Sequence, residues 1–335
     1  MKERMLTGAR PTGKLHLGHY VGALKNQVEL QEKYETFYIV SDVHMLTTKS
    51  DKQYIDQMYQ NTIDMIIDCI GIGMDPNKTT FYLQSNIPEQ NNIFCLIQNL
   101  IDVKRVEDTP SLREMSKHSK DDAVSLGLVA YPVLEAADII GIGATMVPVG
   151  KDNIDHILVT QEIIKTFNRK YGTNYPLPNF ITSPNNHIVG IDGENKMSKS
   201  LNNAINIRDS EQEVREKINR MKWADVNSEE MNVVIEYIKI FCEKNEIYND
   251  ILNRYKNGED VKKLAKSFLE KSINNILVPM RNRMKPYIEN PELVIEILKQ
   301  GTIRARKVIR DNYKKLRSEM GMVDLNLFIE SDQLV

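Results

Sequence analysis

Cysteine is scarce in this chain and irregularly placed: Cys69, Cys95 and Cys242 are the whole set among 335 residues. An odd, scattered trio supports neither a disulfide framework nor a zinc or iron–sulfur ligand set, so free thiols and no protein metal site are the expectation. No apolar run approaches the roughly 18 to 20 residues that span a bilayer. The opening Met1-Lys2-Glu3-Arg4 runs straight into a strand pattern with no apolar leader, which reads as a cytoplasmic protein with no membrane partner. Net charge is nearly absent too, since 44 lysines and arginines against 46 acids leave −2, and this argues against bulk polyanion binding. Internal repeats and low-complexity tracts are lacking. What is there is a hydrophobic fraction of 41%, enough for substantial cores, on a length that suggests two domains.

Short β-branched and aromatic runs at Glu3–Thr7, Phe37–Ser41, Thr80–Gln84, Met146–Val149 and His187–Ile191 alternate with longer stretches of helical period. That alternation predicts an α/β fold with a doubly wound parallel sheet and ligands at the carboxyl ends of its strands. From about Asn206 the pattern is helical throughout, over Ser210–Met221, Met231–Lys244, Glu246–Tyr255, Val261–Tyr287, Pro291–Lys299 and Gly301–Met320. The chain thus divides into an expected α/β domain over 1–205 and an all-helical C-terminal domain over 206–335. Residues 301–320 hold seven cations (Arg304, Arg306, Lys307, Arg310, Lys314, Lys315, Arg317) against Asp311 and Glu319, a local charge of +5.

Two short motifs fall where such a sheet binds ligands. His16-Leu17-Gly18-His19 follows the first strand run and the turn Thr7-Gly8-Ala9-Arg10-Pro11-Thr12-Gly13, and opens a helical pattern from Leu17 to Tyr34. A helix start offers free N–H groups and the positive dipole end to phosphate. His16 and His19 are three apart, so both imidazoles share one helical face and can donate together to phosphate oxygens. Gly18 between them leaves the backbone bare for a flat base. The second motif, Lys196-Met197-Ser198-Lys199-Ser200, begins 180 residues on (196 − 16), after the last strand run, in a stretch rich in Gly, Asn and Ser that reads as a mobile loop. Two ammonium groups on such a loop can close over a pyrophosphate as its charge develops. Either motif alone has an ordinary explanation, a surface histidine pair or a solvated loop. Both together, in this order on an α/β pattern, point to opening ATP between its α- and β-phosphates.

The pair resembles the two signature motifs of class I aminoacyl-tRNA synthetases. Thr7 to Ala23, Tyr131-Pro132-Val133-Leu134-Glu135-Ala136-Ala137-Asp138-Ile139, and Val147-Pro148-Val149-Gly150-Lys151-Asp152-Asn153 with His156 are similar to the tryptophanyl branch of that family, and the likeness runs through the whole chain. The resemblance implies a Rossmann-type catalytic domain, ATP with Mg²⁺ carried on it, L-tryptophan and tRNA(Trp) as partners, a homodimer, and anticodon reading by the helical region. It implies His16, His19, Lys196 and Lys199 as catalytic groups. ATP contacts would come from Arg10, Thr12, Gly18, His19, Gly150, Asp152, Lys196, Met197, Ser198 and Lys199. Asp152 also reads as the N-cap of a helix from Asn153 to Phe167, an alternative that stands beside the ribose contact.

Tryptophan selection falls, by the same resemblance, to Asp138, Tyr131, Asn153 and Glu135. Asp138 would accept from the indole N–H, a donor-only group that a carboxylate matches. A helix-surface aspartate is the ordinary alternative, and the flanking Ala136, Ala137, Ile139 and Ile140 speak against it. Tyr131 would stand near the α-amino group. The chain departs from the family pattern in having Asn153 for a glutamine, Glu135 for an apolar methionine, and Arg10 for a glutamine. Glu135 and Asp138, three apart on one helical face, would crowd the pocket with like charge. Glu135 is therefore expected to turn to a cationic partner or to solvent, leaving Asp138 alone to read the indole. The basic segment is expected to meet tRNA backbone, with a solvated helix face as the alternative. A tyrosyl-tRNA synthetase shares both ATP motifs, and the Ala136-Ala137-Asp138 block argues against it. A non-charging regulator on the same scaffold has no chemical need for His16, His19, Lys196 and Lys199.

Overall fold

Residues 2–117, 124–182, 188–198 and 201–324 are described in the computed structural model, without the side chains of 114–117 and 152. Strands β1 (Arg4–Ala9), β2 (Glu35–Val40), β3 (Thr79–Leu83), β4 (Met146–Val149) and β5 (Asn179–Thr182) pair in parallel in the order β3-β2-β1-β4-β5. The chain winds outward from β1 to β3, then returns to start β4 on the other side of β1. Strand order therefore reverses between β1 and β4, and a crevice opens there at the carboxyl ends because the connections leave on opposite faces. Successive side chains of β2 point to opposite faces. Phe37 and Ile39 enter one core with Tyr82, Ile157 and Ile309, while Tyr38 and Val40 enter the other with Phe81, Ile66 and Leu277.

The helices that frame the crevice are α1 (Met58–Ile72), α2 (Pro88–Ile97), α3 (Pro110–Lys117), α4 (Leu126–Ile142) and α5 (Ile154–Tyr171). Ser125 caps α4 by accepting from the Leu128 N–H, and the helix lies packed among α2, α5 and the last helix of the chain. After the sheet come helices Glu211–Arg220, Val233–Phe241 and Glu246–Lys256, then the long pair α6 (Lys262–Glu289) and α7 (Glu292–Glu319). Ser210 and Glu213 form a reciprocal cap at the first of these, matching the expected start.

Three expectations are corrected. The fifth strand lies at Asn179–Thr182, where Val147 pairs with Phe180, and not at 187–191. Of that apolar run, His187 lies outside the described residues, and the rest spends its backbone on the lysine motif: Val189 bridges Lys196, Met197 N–H donates to Ile188, and Ile191 N–H donates to Asn203. The helix expected from Leu17 to Tyr34 is broken into Leu17–His19, a π turn at Tyr20–Leu24, and Lys25–Leu30. A π turn widens the helix next to the crevice, a local irregularity that functional sites often carry.

The third correction concerns Gly301, which does not separate two helices but sits inside α7. A Cβ there would stand 1.8 Å from the Phe81 carbonyl oxygen, so the missing side chain is what lets α7 press against β3. Thr302 Oγ1 then accepts from the Leu83 N–H at 3.1 Å, Arg306 pairs with Glu89 at 3.0 Å, and Asn312 donates to the Gly141 carbonyl at 2.8 Å. The outer edge of β3, which would otherwise expose unpaired backbone, is covered by this helix.

A backbone oxygen cannot swing aside as a side chain does. Gly301→Ala is expected to lower unfolding free energy by about 3 kcal/mol in urea titrations, the upper range for overpacking. Gly258→Ala, at φ 77° with open space around it, should lose only about 1 kcal/mol from backbone strain. Equal losses at the two sites would mean that α7 does not rest on β3 through Gly301.

Candidate active site

The crevice between β1 and β4 holds a cavity of about 500 Å³. Leu6, Ile39 and Val147 from three adjacent strands make its floor, and Arg10, Gly150, Asn153, Tyr131, Glu135 and Asp138 reach it from the segments beyond the strand ends. Asp138 is 2% exposed. Its carboxylate accepts from Gln84 Nε2 at 3.0 and 3.1 Å, from Gln90 Nε2 at 2.6 Å and from His44 Nε2 at 3.0 Å. Burial pushes this carboxyl above the ordinary aspartate range, against the pull of the hydrogen bonds from His44 and Gln84. A carboxylate so held presents acceptors, and no donor of its own, to whatever enters the cavity.

Glu135 turns away from Asp138. Its Oε2 lies 2.8 Å from His156 Nδ1. Burial works against the Glu135 charge, but the field and hydrogen bond of His156, with the field of His44, outweigh it together and hold this carboxyl below the usual glutamate range. On the other side of the ring, His156 Nε2 meets Ser111 Oγ at 2.6 Å and Tyr131 Oη at 2.9 Å. Four polar groups from α3, α4 and α5 thus form one network on the cavity wall.

The histidine and lysine motifs meet each other outside this cavity. His16 is the N-cap residue of the helix after β1, its N–H donates to His19 Nδ1 at 3.1 Å, and the two rings lie 3.7 Å apart between centroids. Gly18 N–H points at Met197 Sδ, 3.2 Å away, and a Cβ on Gly18 would come within 2.9 Å of the His16 ring. The bare backbone expected to receive a flat base is therefore covered by Met197. Asn203 fastens the lysine motif by accepting from the Ser198 N–H at 2.7 Å and donating to Asp192 at 2.8 Å. Over its described part the loop is tied to the helix that it serves, where the sequence reads as mobile. The Lys196 side chain is exposed.

Arg10, Gly150, Asn153, Tyr131, Glu135 and Asp138 thus share one cavity, while Thr12, His16, Gly18, His19, Lys196, Met197 and Ser198 do not line it. Arg10 donates to Thr48 Oγ1 at 3.1 Å. Lys199, with Ser200, and the Asp152 side chain lie outside the described residues. The N-cap position of α5 falls to Asn153, preceded by a 3₁₀ turn over Lys151–Asn153, and not to Asp152. Sequence reasoning missed His44, Gln84, Gln90 and Ser111. His44 and Gln84 sit just past β2 and β3, so the rule that ligands gather at strand carboxyl ends would have found both. Gln90 and Ser111, on helices, carry no such signal.

Residues 2–279 match the family model described as tRNA synthetases class I (W and Y). A tryptophan–tRNA ligase from Chlamydia caviae is 40% identical over 315 residues, covering 90% of each chain. One from Treponema pallidum is 36% identical over 326 residues, covering 95% of this chain and 97% of that one. The crystal structure of tryptophanyl-tRNA synthetase from Campylobacter jejuni, complexed with ADP and tryptophan, superposes with a TM-score of 0.83 at 29% identity, covering 95% of this chain and all of that one.

Because the Glu135 carboxyl titrates lower in the folded chain than unfolded, its stabilising effect is complete above about pH 4.5 and is lost as pH falls through the folded value. Glu135→Gln should therefore be less stable than the parent at pH 7, and the gap should shrink in denaturant titrations over the range below about pH 4.5. A gap that stays constant over that range would show that the Glu135 charge is not what His156 stabilises.

Proposed function

The chain belongs to the class I tRNA synthetases of the tryptophan and tyrosine group, and we infer that within it the chain joins L-tryptophan to tRNA(Trp), using ATP and releasing AMP and diphosphate. One observation carries the choice of amino acid: a buried acceptor, Asp138, faces a cavity at the strand crossover. An indole N–H has only a proton to give, and the Gln84 amide, spread over both Asp138 oxygens, can yield one of them. An amino acid without that donor would leave the acceptor unmatched, the usual basis of strong discrimination.

The tryptophan carboxylate attacks the α-phosphate in line and pyrophosphate departs with the Mg²⁺ that ATP brings; the terminal ribose hydroxyl of tRNA then attacks the adenylate carbonyl. No covalent enzyme intermediate is needed. Positioning and charge stabilisation account for the rate. His16 and His19 donate to the phosphates, and Lys196 and Lys199 meet the charge that grows on the leaving pyrophosphate. Arg10, Thr12, Gly18, Gly150, Asp152, Met197 and Ser198 hold the rest of ATP, while Tyr131 and Asn153 hold the amino acid's α-ammonium. For the base to reach Gly18, the Met197 side chain has to give way. The segment from 206 onward reads the anticodon end, with exposed Arg304, Lys307 and Arg310 of α7 turned to the phosphate backbone and Arg306 kept by Glu89. The protein works as a homodimer in the cytoplasm.

Purified protein with Mg²⁺-ATP should exchange pyrophosphate when tryptophan is supplied and not with the other amino acids. Faster exchange with tyrosine would move the chain to the tyrosyl side of the family, and none at all from folded protein would make it a regulator. Lys199→Ala should lower adenylate turnover about a hundred- to a thousand-fold with tryptophan affinity nearly unchanged, as for loss of one transition-state donor.

Charge reversal at Arg304 and Arg310 should weaken tRNA binding and flatten its salt dependence while amino-acid activation persists. Charging kinetics with a wild-type salt slope would leave α7 as a solvated face.

A further inference from the structure

The lysine motif begins on the second arm of a short hairpin. Gly190 N–H donates to the Asn195 carbonyl at 2.7 Å and Met197 N–H to the Ile188 carbonyl at 2.8 Å, with Val189 bridged to Lys196 between them. In an antiparallel pair alternate backbone groups point away from the partner arm. The outward carbonyl at Val189 accepts from Tyr237 Oη at 2.7 Å. Tyr237 lies on the helix Val233–Phe241, one turn after Val233 and on the same face, and Val233 seats the tip of the hairpin. A Cβ on Gly193, whose φ is 79°, would stand 2.7 Å from Val233 Cγ2. Asn203 holds the same hairpin separately, through Asp192 and the Ser198 N–H.

Tyr237 is 1% exposed, and among the described residues the Val189 carbonyl is the partner of its hydroxyl. A phenylalanine ring would fill that part of the core equally well, so the hold on the hairpin is what the hydroxyl adds. Burial, with the charge of Asp192, raises the hydroxyl above the ordinary phenol range and keeps it a donor at neutral pH. The support is itself fixed: Asn232 caps the helix by accepting from the Ile235 N–H at 3.2 Å, donates to the Ala224 carbonyl at 2.6 Å, and the helix packs on α6. We propose that Tyr237 is a positioning residue for adenylate formation, which by holding the Val189 carbonyl sets where the Lys196 ammonium stands over the phosphates of ATP. The proposal rests on the reading of Lys196 as a phosphate contact, and it gives the helical region a part in the first chemical step.

Tyr237→Phe keeps the ring and removes only the hydroxyl. In the full chain it should lower the turnover of tryptophan-dependent pyrophosphate exchange about tenfold, with calorimetric tryptophan affinity within about twofold of wild type. In a Lys196→Ala background the same substitution should change the rate less than about twofold, since two residues that act through one group are not additive. A second readout needs no substrate: the Gly190 and Met197 amides should exchange hydrogen about tenfold faster in Tyr237→Phe, with the amides of β1 and β2 unchanged. Additive losses in the double variant, a matching loss of tryptophan affinity, or unaltered exchange at Gly190 and Met197 overturns the proposal. Wild-type protein that lacks pyrophosphate exchange while its hairpin amides respond to Tyr237→Phe would overturn the reading of the site and leave the hold on the hairpin standing, so the two failures are distinguishable.

Discussion

A carboxylate with 2% of its surface left to solvent must be answered by donors, and the donors that Asp138 draws come from three separate places. His44 follows β2, Gln84 follows β3, and Gln90 belongs to α2, while Asp138 itself rides on α4. One buried charge therefore fixes the distance between two strand ends and two helices. Removing any donor leaves the charge under-matched in a low-dielectric place, so the arrangement is rigid where Asp138 faces the cavity. The other polar network of the cavity hangs on the same helix, through Tyr131 and Glu135, two turns and one turn before Asp138.

The two phosphate motifs depend on a second buried acid. Asp68 accepts from the Leu15 N–H at 2.9 Å and pairs with Arg208, which also reaches Asp64 at 2.8 Å. Burial raises the Asp68 carboxyl and the Arg208 guanidinium opposes that rise. Leu15 immediately precedes the histidine motif and Arg208 follows the lysine motif, so α1 clamps together two segments far apart in the chain. The Leu17 N–H donation to Ile205 and the Gly18 contact to Met197 close the same seam. The order and spacing of the motifs in sequence become a spatial pair because of this ion pair as much as because of the sheet.

Legibility followed the physics of each feature. Four strand runs were visible because β-branched and aromatic residues cluster there, and the doubly wound order follows from their alternation with helices. The fifth was misplaced because 187–191 is as strand-like as 179–182; only pairing with β4 separates them, and pairing is not local. Gly301 was read as punctuation since a glycine in a helical pattern usually weakens it, while its reason here is a carbonyl more than two hundred residues earlier in the chain, at Phe81. The turn of Glu135 away from Asp138 was foreseeable from charge repulsion. That His156 would be its partner was not, since 21 residues separate them and only the packing of α4 on α5 brings the carboxylate to the ring.

The two halves of the site differ in how they are held, and this bears on how the chemistry is divided. The half proposed for the amino acid is made of buried, mutually bonded groups at strand ends and on packed helices, an arrangement suited to recognising a ground state. The half proposed for the phosphates is a helix start and a loop pinned by Asn203, with the Lys196 side chain exposed. Charge on a departing pyrophosphate is larger in the transition state than before it, so a cation that swings in late contributes to rate and little to affinity. On the proposed function, buried groups at the crevice select the amino acid and an exposed cation meets the developing charge. The reversal of strand order between β1 and β4 opens that crevice in the first place.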